Sequence, residues 1–288
     1  MSATTTLSPK AVIFDAYGTL FDVHSVIAAA EQIFPGRGDA LSQLWRQKQI
    51  EYTQLRTLAD AGGDAAHYRP FWDVTLDALR FSAKKLQLTL GRTAEKRLMD
   101  EYACLSAFPD AVPALRLLRD AASGSGSGIA SRPVSASASG PSRALSAAGT
   151  SGGSRPGLAI LSNGNPQMLD VAVKSAGMSG LFDHVLSVDA VRAYKPAPAA
   201  YALGTQAFDV DPREIVFVSS NGWDVAGATW FGFTTFWLNR QNAPLEELGV
   251  TPHGTGAGMS DLLAFLKTVT SAGRAHAATS RIRHSPGA

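Results

Sequence analysis

The chain has 288 residues, 45% apolar and 17% charged, with a formal net charge of +2 and one cysteine. That length exceeds the ~100–200 residues of an ordinary domain, so one large domain or a core with a smaller companion is expected. The Lys and Arg residues are scattered, Cys104 has no partner for an internal disulfide, and no apolar run approaches the ~20 residues of a membrane-spanning helix, which argues against nucleic-acid partners, a disulfide scaffold and a membrane span.

The N-terminal segment has no apolar stretch ending in a small-residue cleavage site, so no secretory signal and a cytoplasmic location are expected. Lys10–Phe14 then gives a continuous apolar run, the pattern of a strand covered on both faces of a parallel sheet. Asp15 follows at its C-terminal end, and Gly18 opens a turn. From Val23 to about Ser106 the pattern is helical. Leu41, Leu44 and Trp45 share one face, Tyr52 and Leu55 continue the apolar content, and Phe71, Val74, Ala78 and Phe81 begin a second run. An all-helical block placed directly after the first strand predicts a cap over the sheet's active edge. Cys104, beside Tyr102, Ala103 and Leu105, reads as part of a helix packing face.

Val112–Leu118 predicts another helix. Ser123–Gly157, rich in Ser, Gly and Ala without apolar periodicity, is expected to be disordered, as is the chain from Ser271 onward. Between them strand–turn–helix units recur. Strands are predicted at Leu158–Leu161, His184–Ser187, Ile215–Val218 and Phe233–Leu238, with a helix from Pro166 to Ala176. The fold class is therefore α/β, a Rossmann-like doubly wound parallel sheet with an inserted helical cap. The core takes residues 1–22 and 107–270, and the cap takes 23–106.

Polar residues interrupt the apolar runs at the strand ends: Asp15 and Thr19, Ser162 and Asn163, Lys195, then Ser219, Asn221 and Asp224. Right-handed crossovers bring such ends to one edge, where open α/β sheets bind ligands. A carboxylate, a lysine and several short hydrogen-bonding side chains are thus expected to converge in one cleft.

Four of these segments resemble the ordered motifs of the haloacid dehalogenase superfamily. They are Phe14-Asp15-Ala16-Tyr17-Gly18-Thr19-Leu20-Phe21-Asp22, Leu161-Ser162-Asn163-Gly164, Tyr194-Lys195-Pro196, and Val218-Ser219-Ser220-Asn221-Gly222-Trp223-Asp224. The superfamily consists mostly of phosphatases, whose second aspartate lies two residues after the nucleophile. Here that position is Tyr17, a phenol with an ordinary pKa of ~10 and a poor acid near neutral pH. The fourth motif carries one carboxylate, Asp224, where magnesium sites want more. Both departures resemble the L-2-haloacid dehalogenases, as do the cap segments Asp22-Val23-His24-Ser25-Val26 and Leu44–Tyr52.

That resemblance implies no cofactor, no metal and two hydrolytic steps. Asp15 attacks C2 of an L-2-haloalkanoate, halide leaves, and water cleaves the resulting ester to a D-2-hydroxy acid. Thr19 orients Asp15, and Lys195 supplies opposite charge. Ser162 and the amides of Ala16 and Tyr17 take the substrate carboxylate. Arg46 and Asn163 receive the halide, and Trp223 either walls that site or packs in the core. Asp224, with Asn221 and Ser219, either activates the water or orients Lys195. Tyr201 matches a functional tyrosine, while His24 and His184 read as structural. The resemblance also implies a homodimer, with contacts near Trp45–Arg56. Two alternatives stand beside this reading: a magnesium-dependent phosphatase of the same superfamily, and a binding module that has lost turnover.

Overall fold

The four residues of β1 (Ala11–Phe14) are all apolar and fully buried. In the computed structural model, which describes residues 9–60, 62–120 and 155–282, β1 sits inside a six-stranded sheet. Its companions are β2 (Gly157–Ser162), β3 (His184–Ser187), β4 (Ile215–Ser219), β5 (Thr234–Leu238) and β6 (Gly254–Gly256). The order is β3-β2-β1-β4-β5-β6, and every ladder is parallel.

Side chains alternate between the two faces along each strand. Val12, Phe14, Leu158, Ile160, Val216 and Val218 enter one apolar cluster. Ala11, Ile13, Ala159, Leu161, Ile215 and Phe217 enter the other. With both faces buried, the strands carry no polar alternation, which is why they read as unbroken apolar runs. Helices α5 (Ala111–Asp120), α6 (Pro166–Ser175), α7 (Pro198–Phe208), α8 (Gly222–Phe231) and α9 (Met259–Ile282) belong to the same α/β unit. The direction of chain progression reverses beside β1, so a crevice opens between the C-terminal ends of β1 and β4.

The segment after β1 forms α1 (Ile27–Ile33), α2 (Gly38–Ala59), α3 (Phe71–Lys85) and α4 (Arg92–Ala103). The chain leaves and re-enters the sheet unit through a paired neck. Asp22 N donates to Ser106 O at 2.8 Å, and Phe108 N donates to Leu20 O at 3.0 Å. Leu41, Trp45, Phe71, Val74, Leu79 and Tyr102 of the helical block join the apolar cluster that contains Val12 and Phe14. The helices therefore pack directly onto the edge where the strands end.

Several features differ from the sequence reading. Helix α9 runs through Ser271 to Ile282. Its first turns bury Met259, Leu262 and Leu266, and once a helix is nucleated an Ala-rich continuation adds residues at little cost. Residues 123–154 of the Ser/Gly/Ala-rich segment lie outside the described residues. Its last three are ordered: Gly157 opens β2, and Arg155 forms an ion pair with Asp183 at 2.7 Å. Cys104 follows the end of α4 and is exposed, so it packs no helix face. Strand β6 escaped notice because Gly254-Thr255-Gly256 is short and glycine-rich.

Candidate active site

Asp15 continues β1 by one residue, its amide donating to Val218 O at 2.9 Å, and its carboxylate emerges in the crevice beside β4. Both carboxylate oxygens are engaged. Lys195 Nζ donates to Oδ1 at 2.7 Å, while Thr19 Oγ1 and Asn221 Nδ2 each donate to Oδ2 at 2.9 Å. All three partners are donors and one is a cation, which is the environment a carboxylate accepts from most strongly. Thr19 is set in turn by the Ser220 amide, which donates to its hydroxyl oxygen at 2.9 Å.

Lys195 is buried to 1% exposure and bridges two carboxylates. Besides Asp15 it donates to Asp224 Oδ2 at 2.6 Å and to the Leu161 carbonyl at 3.2 Å, so every N–H of the ammonium has an acceptor. Burial alone would depress its pKa, but the charges of Asp15 and Asp224 outweigh it and the net displacement is upward. Asp224 is fully buried, and burial pushes its carboxyl above the ordinary range despite the opposing pull of Lys195. The Tyr201 hydroxyl donates to its other oxygen at 2.8 Å. Burial keeps that phenol protonated, its pKa raised well beyond the ordinary value, among Phe217, Phe231 and Phe233. Gly227 makes this contact possible, since a Cβ there would lie 2.6 Å from both Tyr201 Oη and Pro196 Cβ.

The helical block supplies Arg46 from α2. Its Nη2 donates to Tyr17 O at 3.0 Å and to Asn221 Oδ1 at 3.2 Å. Asn221 thus joins the guanidinium to Asp15. These residues surround a tight cleft also lined by Ile50, Thr53, Phe71, Ser162, Asn163 and Trp223. Tyr17 forms one wall, packed on Phe71 and Tyr102. Burial holds its phenol protonated, with a pKa well above the ordinary value. A Cβ at Gly164 would come within 2.7 Å of that ring, so only glycine admits it.

Several groups in the cleft keep unused hydrogen-bonding capacity. Asn163 Oδ1 accepts from Lys195 N at 3.0 Å, which leaves its amide N–H₂ without an acceptor among the described residues. Ser162 Oγ accepts from Gly164 N at 3.0 Å and retains its own proton to donate. Trp223 Nε1 and Tyr17 Oη are buried without hydrogen-bond partners among the described residues. The amides of Ala16 and Tyr17 have no acceptor among the described residues either. One small space therefore gathers a carboxylate, a guanidinium and several spare N–H and O–H donors, an arrangement suited to a small anion held against a nucleophile.

Of the candidate site residues read from the sequence, all but Ala16 and Ser219 line this cleft or hydrogen-bond to its carboxylates. Ser219 lies at the end of β4, where its hydroxyl accepts from Asn221 N at 3.2 Å and, among the described residues, makes no hydrogen bond to Asp15 or Asp224. A side chain at a strand terminus alternates in direction, and here it serves the following turn. His184 stacks edge-on against Phe208 at 4.9 Å, away from the cleft. His24 borders a neighbouring pocket of about 460 Å³, shared with Arg46, Ile50, Asn221 and Arg240. Sequence reasoning missed Ser220, Gly227 and Gln49. Gln49 lies one helical turn after Arg46, a spacing that places both on one face.

Comparison with known proteins agrees with this geometry. Residues 143–232 match the family model of haloacid dehalogenase-like hydrolases. The (S)-2-haloacid dehalogenase of Pseudomonas sp. (strain YL) is 42% identical over 84% of this chain and 88% of its own length. This chain belongs to the L-2-haloacid dehalogenases.

Two solved members of the family superpose closely. The L-2-haloacid dehalogenase RSc1362 is 57% identical, with a TM-score of 0.77 over 90% of this chain and 99% of that one. The enzyme from Xanthobacter autotrophicus with chloropropionic acid covalently bound is 34% identical, with a TM-score of 0.71 over 90% and 98% of the two chains. A Rossmann-like sheet with a helical block over its active edge is thus shared with L-2-haloacid dehalogenases of known structure.

Proposed function

We propose that this member of the family hydrolyses short L-2-haloalkanoic acids to D-2-hydroxy acids and halide through an ester on Asp15. The observation that carries this reading is a carboxylate with three donors beside a tight cleft that still offers spare donors to an anion. The substrate carboxylate takes Ser162 Oγ–H and the amides of Ala16 and Tyr17. Its C2 then faces Asp15, and its halogen faces Arg46 and Asn163, with Trp223 as a wall. In this assignment residues 23–106 act as a cap that excludes water from the reacting atoms.

The two oxygens of Asp15 have different free capacity. Oδ2 accepts from both Thr19 and Asn221, whereas Oδ1 accepts from Lys195 alone. A carboxylate oxygen offers two lone-pair sites, so Oδ1 attacks C2. The C2–halogen bond breaks with its electron pair, a C2–Oδ1 bond forms, and C2 inverts once. Water then adds to Cγ, and Oδ2 carries the developing negative charge toward Thr19 and Asn221. Asp224 receives the water's proton, its buried carboxyl raised above the ordinary range by burial. Cγ–Oδ1 then breaks, and Oδ1 leaves on C2 as the product's hydroxyl oxygen, taking the proton held by Asp224. The hydroxyl that water left on Cγ gives its proton to solvent, so Asp15 returns as a carboxylate.

Tyr17 replaces the second acid of the phosphatases, and the Lys195 ammonium already lies between the two carboxylates. Both features support metal-independent chemistry. The lone exposed Cys104 fits a reducing, cytoplasmic setting, and no helix among the described residues is long and apolar enough to cross a membrane. Leu55 and Leu58, exposed on α2 at 53% and 73%, support a homodimer joined through that helix. The deciding experiment measures halide release from each enantiomer of 2-chloropropionate in EDTA. The L form is expected to give chloride and D-lactate, and Asp15→Asn none. Well-folded protein that releases no halide from any short 2-haloacid, yet cleaves p-nitrophenyl phosphate with magnesium, would establish the phosphatase alternative instead.

A further inference from the structure

Within the helical cap lies a polar cluster that makes no contact with the reacting atoms. Gln49 of α2, Thr75 of α3 and Tyr102 of α4 are each 3% exposed or less. Gln49 Nε2 donates to Thr75 Oγ1 at 2.6 Å. Gln49 Oε1 accepts from Tyr102 Oη at 2.9 Å and from Arg46 Nη1 at 2.8 Å. The Thr75 hydroxyl donates to Phe71 O at 2.7 Å, and Trp45 Nε1 donates to Thr75 O at 2.8 Å.

The direction of these bonds is determined. Thr75 has one hydroxyl proton and uses it on Phe71 O, so its oxygen can only accept from Gln49. The amide of Gln49 must therefore present N–H₂ to Thr75 and its oxygen to Arg46. A flipped amide would set an N–H against the guanidinium and leave both buried. Burying this much polarity in a cap that could have been apolar costs stability unless every group is paired.

Arg46 is held from two sides. Nη1 is fixed by Gln49 within the cap, and Nη2 by Tyr17 O and Asn221 Oδ1 on the sheet. A guanidinium carries five N–H donors. The remaining N–H of Nη1 and that of Nε have no acceptor among the described residues, and Arg46 lines the cleft. Loss of the Gln49 contact would leave the planar group hinged about its Nη2 bonds, and the free donors would swing with it.

We propose that Gln49 is a positioning residue for halide departure: its oriented oxygen, set by Thr75, aims the free donors of Arg46 at the leaving group. This inference rests on the dehalogenase reading above. The two fail differently, since wild-type protein that releases no halide refutes the function, whereas the test below compares active proteins.

The test is single-turnover halide release from L-2-chloropropionate and its iodo analogue by Gln49→Met and Thr75→Val. Chloride is the poorer leaving group and needs more help as charge develops. Q49M is expected to slow the chloro substrate about ten- to hundredfold, the scale of one hydrogen bond to a charged group, and the iodo substrate much less. T75V, which touches neither Arg46 nor the cleft, should move the chloro-to-iodo ratio the same way by a smaller factor. In an Arg46→Met background, Q49M should leave that ratio unchanged. A purely structural Gln49 would slow both substrates equally, and an unaltered ratio in folded Q49M, or in T75V if Q49M does not fold, overturns the proposal.

Discussion

Replacing Lys195 by Met removes the cation that bridges two buried carboxylates, and its cost follows from the contacts it makes. Nζ lies 2.7 Å from Asp15 and 2.6 Å from Asp224, with the residue 1% exposed. Breaking a buried ion pair by deleting one partner costs about 3–5 kcal/mol, because the survivor keeps its charge without compensation. Against a typical stability of ~5–15 kcal/mol that is a large fraction. Two facing carboxylates will not both stay charged, and Asp224, already raised by burial, takes up the proton. Its folded pKa then lies above its unfolded value, so this group stabilises the fold at low pH and loses that contribution as pH rises. The deficit of K195M relative to wild type should thus be largest near pH 8 and shrink toward pH 5, as read from urea unfolding at each pH. Halide release should be lost throughout. A deficit below about 1 kcal/mol, or one that grows as pH falls, would refute the assignment of Lys195 as the shared counter-charge.

Two further perturbations probe the surrounding frame. Asp183 accepts from Arg155 and from Leu158 N at the head of β2, and the Arg155 hydrogen bonds hold its carboxyl well below the ordinary range. Its stabilising effect is present above the unfolded carboxylate pKa of ~3.9 and lost as pH falls through the lower folded value; Asp183→Asn should therefore lower Tm at pH 7, and the difference from wild type should shrink steadily as pH is lowered toward ~2. Gly227→Ala would place a methyl 2.6 Å from Tyr201 Oη. We expect a loss of about 1–3 kcal/mol in denaturant unfolding, with a weaker Tyr201–Asp224 contact seen as slower ester hydrolysis and normal halide burst.

Much of this site was legible because the sheet is parallel. In such a sheet every strand points its C-terminal end the same way, so polar residues that end apolar runs meet at one edge. Asp15 and Lys195 are 180 residues apart and 2.7 Å from each other for that reason. What the chain does not display is the choice between two turn residues with similar chemistry. Ser219 and Ser220 are adjacent, yet it is the Ser220 amide that sets Thr19, while Ser219 braces the Asn221 turn. Gln49 was illegible for a different reason. A glutamine in a charged helical stretch such as Arg46–Glu51 looks solvent-facing, and only the packing of α3 and α4 against α2 buries it. The end of α9 follows a third logic, helix propagation from a packed first half, which local composition hides.

The division of labour between the two oxygens of Asp15 leads to a sharper test than loss of activity. If Oδ1 carries the substrate, then Oδ2 becomes the ester carbonyl oxygen, already facing Thr19 Oγ1 and Asn221 Nδ2 at 2.9 Å each. Those donors contribute little to the first step, where they draw charge away from the attacking carboxylate. They matter in the second, where charge collects on Oδ2. Asn221 also holds Arg46, so its removal would disturb both steps. Thr19→Val is cleaner, because Thr19 touches no cap residue among the described hydrogen bonds. Losing one such donor typically slows the step it serves by about 10²–10³-fold. T19V should therefore release close to one halide per subunit in a rapid burst, then turn over slowly, with the acyl adduct on Asp15 visible by intact-protein mass spectrometry. Slow release without a burst or adduct would mean that Thr19 serves the displacement itself, and that the ester forms on Oδ2.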